Sequence, residues 1–311
     1  MVAAKSKTVL AALAEYEYVI MELADSTQQG YKTRLGRFAR WCQTKRLFLK
    51  SLTPAIIAGY LQELRKPSER TGDPLSTYTL HGHMRAIRAF LYWCAKPPQK
   101  YLSLEVPQNL VMPKVDIKVI QPFQKEHITR IQVAITHNHF PIMVARDKAI
   151  FAVLLDTGIR AAELCGLLLE HVYISPQEAY IKVTGKGRKQ REVPLGKKSR
   201  LLLREYIKHY RPQSSAPEVF LGHKFDHSSL TTNALRQVMR RWSHRAKVSL
   251  DLCHPHTCRH TFAINFLLQG GDLYVLSRLL GHSSVAVTEV YLRAVEALQA
   301  RKIGKSVLDN L

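Results

Sequence analysis

Six side chains in this sequence have the types needed to hold and attack a phosphodiester: Arg160, Lys186, His256, Arg259, His282 and Tyr291. Cutting such a bond without a metal takes a nucleophile, cationic donors for the phosphate oxygens, and an acid for the leaving oxygen. Guanidinium suits the middle task, because it stays charged and presents a flat fork that fits two phosphate oxygens at once. Imidazole, with a pKa near neutrality, can donate to a phosphoryl oxygen or exchange a proton with an attacking hydroxyl. A phenol has a pKa near 10 and is a poor nucleophile until a base and nearby cations favour its phenolate.

Four of the six lie in one stretch from His254 to Tyr291, HPHTCRHTFAINFLLQGGDLYVLSRLLGHSSVAVTEVY, with His256 and Arg259 three apart and His282 in a Leu-Gly-His turn. Arg160 comes from LLDTGIRAAELCGL, beside Gly158 and at a helix start; Glu163, one turn later, is placed to accept a hydrogen bond from it and fix its direction. Lys186 sits between two glycines in VTGKGRKQREVPL, where a tight hairpin turn can carry an ammonium toward a ligand, although Arg188, Lys189 and Arg191 compete for that role. The GKG is not a phosphate-binding loop, since the spaced GxxxxGK[ST] pattern is missing, so no nucleotide cofactor is implied. Taken singly, each arginine reads as a surface charge and each histidine as a structural one.

Taken in order, the TGIR-x-x-EL box, the GKG turn, the H-x-x-R-H box and the spacing from LGHSS to the tyrosine resemble the active site of the tyrosine recombinases, the phage-integrase and Xer family. The resemblance covers nearly the whole chain. It implies that Tyr291 attacks phosphorus to form a 3′-phosphotyrosyl bond and free a 5′ hydroxyl, whose leaving oxygen Lys186 protonates. His256 would be general base or proton acceptor for the tyrosine, His282 a donor to a non-bridging oxygen, and His260 structural support. It further implies site-specific strand exchange through a Holliday junction, on double-stranded DNA sites, by a homotetramer or by a heterotetramer with a second recombinase. An accessory protein is a further expected partner, and no cofactor, metal or ATP is called for. The arrangement expected is the simple Xer type, with no arm-binding domain ahead of the first helix.

Other classes fit less of the sequence. Cys253, His254, His256, Cys258 and His260 are dense enough for a zinc-dependent nuclease or zinc-stabilised module, but no second CxxC or HxxH pair lies at ligand spacing, and Arg160, Lys186 and Tyr291 would go unexplained. A non-catalytic, decayed recombinase is opposed by the complete set of six. A topoisomerase-like relaxation activity would use the same residues.

Composition agrees with a polyanionic partner, since 311 residues carry a formal net charge of +22. No apolar run is long enough to span a bilayer. Five cysteines form no disulfide framework and leave at least one thiol free, which suits a reducing, cytoplasmic and nucleoid-associated setting.

The elements expected around these residues give a mainly α (α+β) fold: an N-terminal helical bundle, residues 1–113; a proline-rich linker, 114–122, within the stretch from Lys96 to Phe123; and a mostly helical catalytic domain with a small antiparallel sheet, 123–311. In the bundle a first helix over Lys5 to Leu23, with Leu10, Leu13, Ile20 and Leu23 as its stripe, is followed by a second opened by a Ser26–Gln29 capping box. Thr53-Pro54 and Ser76 start two more. Lys32, Arg34, Arg37, Arg40, Arg85 and Arg88 supply basic faces for a duplex, with His83 also outside, and Arg188 adds to them from the hairpin. After Tyr291, residues Leu292, Val295 and Leu298 keep helical spacing before an apolar end at Val307, Leu308 and Leu311. By resemblance, such a tail packs on a neighbouring protomer.

Overall fold

The computed structural model describes residues 7–67, 72–115, 120–185, 189–222 and 227–303. The chain divides into two compact units, residues 1–118 and 119–311.

In the first unit, α1 (Val9–Val19), α2 (Asp25–Thr44), α3 (Pro54–Arg65) and α4 (Thr77–Ala95) pack with a one-turn α5 (Glu105–Gln108). Thr8, Thr53 and Ser76 each cap a helix, their hydroxyls accepting from the N–H groups of Ala11, Ile56 and Thr79, and Pro54 occupies the first turn where no donor is needed. The buried stripe of α1 is Val9, Ala12, Leu13, Tyr16 and then Ile20, whereas Leu10 and Leu23 are exposed. Tyr16 displaces the expected stripe because its ring packs edge-on against Phe90 at 5.4 Å and lies against Trp93 at 5.3 Å.

Two further expectations are corrected. Ser26 does not cap α2, which begins one residue earlier behind Ala24 with no side-chain cap; the Gln28 amide instead reaches back to the carbonyls of Met21 and Leu23 and ties the turn. His83 is buried, not outside: it lies against the Tyr60 ring, and burial followed by the charges of Arg37 and Arg34 pushes its pKa down to about 4. Of the basic residues, Lys32, Arg37, Arg40 and Arg85 are exposed, while Arg34 and Arg88 are half-buried, the latter lying over the Tyr92 ring. Leu110 is buried in this unit's core, with Tyr101, Val106 and Met112 packed against it.

The second unit contains α6 (Lys125–Thr136), α7 (Pro141–Thr157), α8 (Ala161–Cys165), α9 (Lys197–Glu205), α10 (Thr232–Ala246), α11 (Pro255–Leu268), α12 (Leu273–Leu280) and α13 (Glu289–Ile303). Between α8 and α9 runs a meander of β1 (Val172–Ile174), β2 (Ala179–Thr184) and β3 (Gln190–Pro194), antiparallel throughout and in sequential order. Tyr173 faces Tyr180 across the first pair, with stacked rings, and Lys182 faces Glu192 across the second. The helix read through SRLLLREYIKHYR changes to a π-helical turn at Tyr206–Tyr210, where Tyr206 is fully buried against Phe220. One core cluster runs from Phe123 to Cys258 around α7 and α10. A smaller one joins Ala263, Ile264, Leu276, Leu280, Tyr291, Ala294 and Val295, so α13 packs on α11 and α12 of its own chain.

In that cluster Val295 is buried and Leu298 half-buried against their own domain, while Leu292 is exposed. Val307, Leu308 and Leu311 lie outside the described residues. All five cysteines are unpaired and buried. Among the described residues no helix is long and apolar enough to cross a membrane.

Candidate active site

Two left-handed glycines set the site's backbone. Gly158, at φ 61°, ends α7 and turns the chain into Arg160, which stands extended at the start of α8. Gly281, at φ 64°, ends α12 and turns it into His282. A side chain at either position would be strained by φ and would also collide: a Cβ at 158 would sit 2.5 Å from the Phe262 ring, and one at 281 would sit 2.9 Å from the Arg191 guanidinium.

The last carbonyls of α12 gather three arginines. Leu279 accepts from Arg191 Nε at 2.6 Å, Leu280 from Arg259 Nη2 at 2.8 Å, and Gly281 from Arg160 Nη2 at 3.1 Å. These are the orphan acceptors at the negative end of a helix dipole, which is why three like charges tolerate one another there. Arg259 also donates to the Gly158 carbonyl at 2.9 Å, so both glycine turns anchor one side chain. It is almost fully buried, and burial, then the nearby Arg160, lowers its pKa to about 10.

Glu163 supplies the balancing charge. Its carboxylate accepts from Arg160 Nη1 at 3.0 Å, Arg191 Nη1 at 2.8 Å, Arg191 Nη2 at 2.9 Å and the Arg160 backbone N–H at 2.7 Å. Burial opposes its ionisation, but the hydrogen bonds from Arg191 and Arg160 prevail and hold its pKa below the ordinary value. Three guanidiniums against one carboxylate leave the pocket cationic, ready for an anion.

His282 bridges this cluster to the phenol. Arg259 Nη2 lies 2.8 Å from its Nε2, and Thr288 Oγ1 lies 2.8 Å from its Nδ1. A guanidinium can only donate, so Nε2 accepts and the Nδ1 proton goes to the threonine hydroxyl. Burial, then the charges of Arg259, Arg160 and Arg191, pushes its pKa to about 4. Its ring is parallel to that of Tyr291, with centroids 6.5 Å apart.

Tyr291 occupies the first turn of α13, its ring only 4% exposed among α11, α12 and α13. The hydroxyl lies 3.1 Å from Nδ1 of His260. Burial raises the phenol's pKa, while the positive charges of Arg259 and then Arg160 pull it down. His260 is held at about 4 by burial, then by His256, His254 and Arg259. His256, one turn earlier on α11, is exposed; partial desolvation, then the neighbouring His254 and the charges of Arg259, Arg236 and Arg160, lower its pKa.

The folded chain thus brings Arg160, Arg259, His282 and Tyr291 together, with Glu163 beneath the arginines and His256 at the edge. Lys186 and Arg188 lie outside the described residues; the adjoining Gly185 is beside Glu163 and Arg191, so the hairpin's base abuts the cluster. Three contributions go beyond what the sequence motifs assign. Arg191 reads there as a rival for the lysine's part, and its role as a second partner of Glu163 shows in strand alternation, because Arg191 and Val193 share the inward face of β3. Thr288 is a fully buried threonine with no motif of its own, and His260 meets the phenol where the resemblance points to His256. Of the dense Cys/His stretch, Cys253 and Cys258 belong to the apolar core whereas His256 is exposed, and among the described residues no group of three such side chains is placed to hold a metal.

Residues 123–297 match the phage integrase family. The chain belongs to that family. It is a tyrosine-type site-specific recombinase. The recombinase is 29% identical, over 284 residues and 88% of each chain, to the tyrosine recombinase XerC of Thermodesulfovibrio yellowstonii. Its fold is similar to that of XerH bound to a palindromic difH substrate after cleavage, at TM-score 0.72 and 18% identity over 93% of this chain and 82% of that one. It is also similar to a lambda integrase tetramer bound to a Holliday junction, at TM-score 0.67 and 14% identity over 93% and 78%.

Proposed function

We propose that the recombinase cuts and rejoins DNA through a 3′-phosphotyrosyl intermediate and a Holliday junction, using side chains alone and neither metal nor ATP. The observation that carries this is the packing of Tyr291 inside a pocket built by its own chain, its hydroxyl 3.1 Å from His260 Nδ1, its ring parallel to that of His282, and the charge of Arg259 acting on the phenol. Arg160 and Arg259 hold the non-bridging oxygens, exchanging helix-end carbonyls for phosphate. Thr288 lets His282 change role: its hydroxyl can donate to Nδ1 instead of accepting, which leaves Nε2 protonated and able to donate to phosphate once Arg259 turns to the ligand. Exposed His256 stands where an incoming phosphodiester meets the protein, and Lys186 protonates the leaving 5′ oxygen.

The phosphotyrosyl bond keeps the energy of the phosphodiester it replaced, so a 5′ hydroxyl from a second strand reseals it. Residues 1–113 form a core-site DNA-binding domain whose Lys32, Arg34, Arg37, Arg40, Arg85 and Arg88, with Arg188 of the other domain, contact phosphates. The working assembly is a tetramer on two duplexes, of this chain alone or with a second recombinase, in an Xer-like or mobile-element role. XerC kinship and the likeness to DNA-bound recombinases support this reading.

The test is a nicked suicide duplex carrying the sequence that the protein selects from random DNA. Wild-type protein becomes covalently attached, with chelator present or absent, and Tyr291→Phe binds without attaching. Attachment that survives Tyr291→Phe, or that chelators abolish, contradicts the proposal.

A further inference from the structure

We propose that His260, and not His256, is the imidazole that takes the phenolic proton as Tyr291 attacks phosphorus and returns it on resealing. This rests on the recombinase reading of the site given above.

Geometry carries it. His260 Nδ1 lies 3.1 Å from the Tyr291 hydroxyl, with ring centroids 5.5 Å apart. The cation that acts on the hydroxyl, Arg259, has no lone pair to accept a proton, so among the described residues His260 is the acceptor in place. His256 sits on the preceding turn of α11, is exposed, and lies 6.4 Å from His260 by ring centroids. The i to i+4 spacing aligns both rings on one helix face, where the outer one meets substrate and the inner one meets the nucleophile.

The charges around His260 suit the timing. Its neighbours are His254 at the cap of α11, His256 and Arg259 on α11, and Tyr291 on α13. Burial first, and then the charge of Arg259, keeps the ring neutral, so its lone pair is free at working pH. A phosphodiester bound against Arg160 and Arg259 offsets that field, so His260 becomes the stronger base just when a proton must move. In the step itself the tyrosine O–H bond breaks and its proton goes to Nδ1. The ring, already protonated at Nε2, becomes imidazolium. The tyrosine oxygen bonds to phosphorus as the bond from phosphorus to O5′ breaks, and O5′ is protonated by Lys186 in the mechanism above. Resealing runs the same transfers backward.

The test compares His260→Gln with His256→Gln in single-turnover cleavage of the nicked suicide duplex, with the normal 5′ oxygen and with a 5′-bridging sulfur, which leaves without an acid. His260→Gln should bind DNA as wild type does in a gel shift yet cleave about 10²–10⁴-fold more slowly, with no recovery on the sulfur substrate. Its rate should also climb about tenfold per pH unit from roughly pH 7 to 9, as hydroxide takes over the proton. Cleavage within about threefold of wild type, recovery on the sulfur substrate, or the pH climb appearing in His256→Gln instead would overturn the assignment. Wild-type protein that never attaches to the duplex would sink the recombinase reading itself, a result distinct from an active wild type with an indifferent His260.

Discussion

Glu163→Gln isolates the electrostatic balance of the pocket. The carboxylate is buried to 4% side-chain exposure and accepts four hydrogen bonds from two arginines. Glutamine keeps one acceptor oxygen and turns an NH2 group toward donors, so two charge-assisted bonds of about 1.5–3 kcal/mol each are lost. The total agrees with the roughly 3–5 kcal/mol expected when a buried pair loses one partner. In a domain of this size, 1 kcal/mol moves the melting midpoint by about 2–4 °C, so the fall should be about 6–20 °C by scanning calorimetry. Bound DNA should shrink that deficit, because phosphate gives the two guanidiniums a substitute anion. Cleavage should drop by about 10²–10³-fold, since Arg160 loses the contact that aims it. Pairing Glu163→Leu with Arg191→Met should destabilise less than the two single changes summed, because the double variant strands fewer charges. A midpoint within about 2 °C of wild type, together with cleavage within about threefold, would refute this account of the cluster.

Gly158→Ala should cost about 1–3 kcal/mol in denaturant unfolding, because its Cβ meets the Phe262 ring at 2.5 Å and φ is 61°; wild-type stability would show that the turn yields freely. His260 and His282 both titrate near 4 when folded and near 6.5 when unfolded, so between those values the unfolded chain binds more protons. Stability should therefore be complete above about pH 6.5 and be lost as pH falls toward and through 4; a midpoint that stays level or rises on acidification contradicts this. Arg37→Ala and Arg40→Ala should each reduce the slope of log binding against log salt by about 1, measured by fluorescence anisotropy, and an unchanged slope would make them solvated charges only.

Helix starts marked by local chemistry are legible in the sequence alone. Thr53-Pro54 and Ser76 cap where the sequence places them, because a cap is decided by groups three residues apart. The β2–β3 hairpin is legible for the same reason. The Ser26 cap is not, since the backbone around it is drawn instead into a turn tied by Gln28, and His83 is not, because its burial depends on which neighbouring helix covers it.

The sequence by itself determined the inventory: which boxes exist, in what order, and that two arginines, a lysine, two histidines and a tyrosine are present for phosphoryl chemistry. Only the tertiary structure decided who touches whom. Arg160 and Arg259 lie 99 positions apart and meet at the end of α12, because its unpaired carbonyls attract cations from any part of the chain. Likewise His256 and His260, four residues apart, the first read from the resemblance as the proton acceptor and the second as support, are separated by the packing of α13, which seats the phenol against the inner ring and leaves the outer one to solvent.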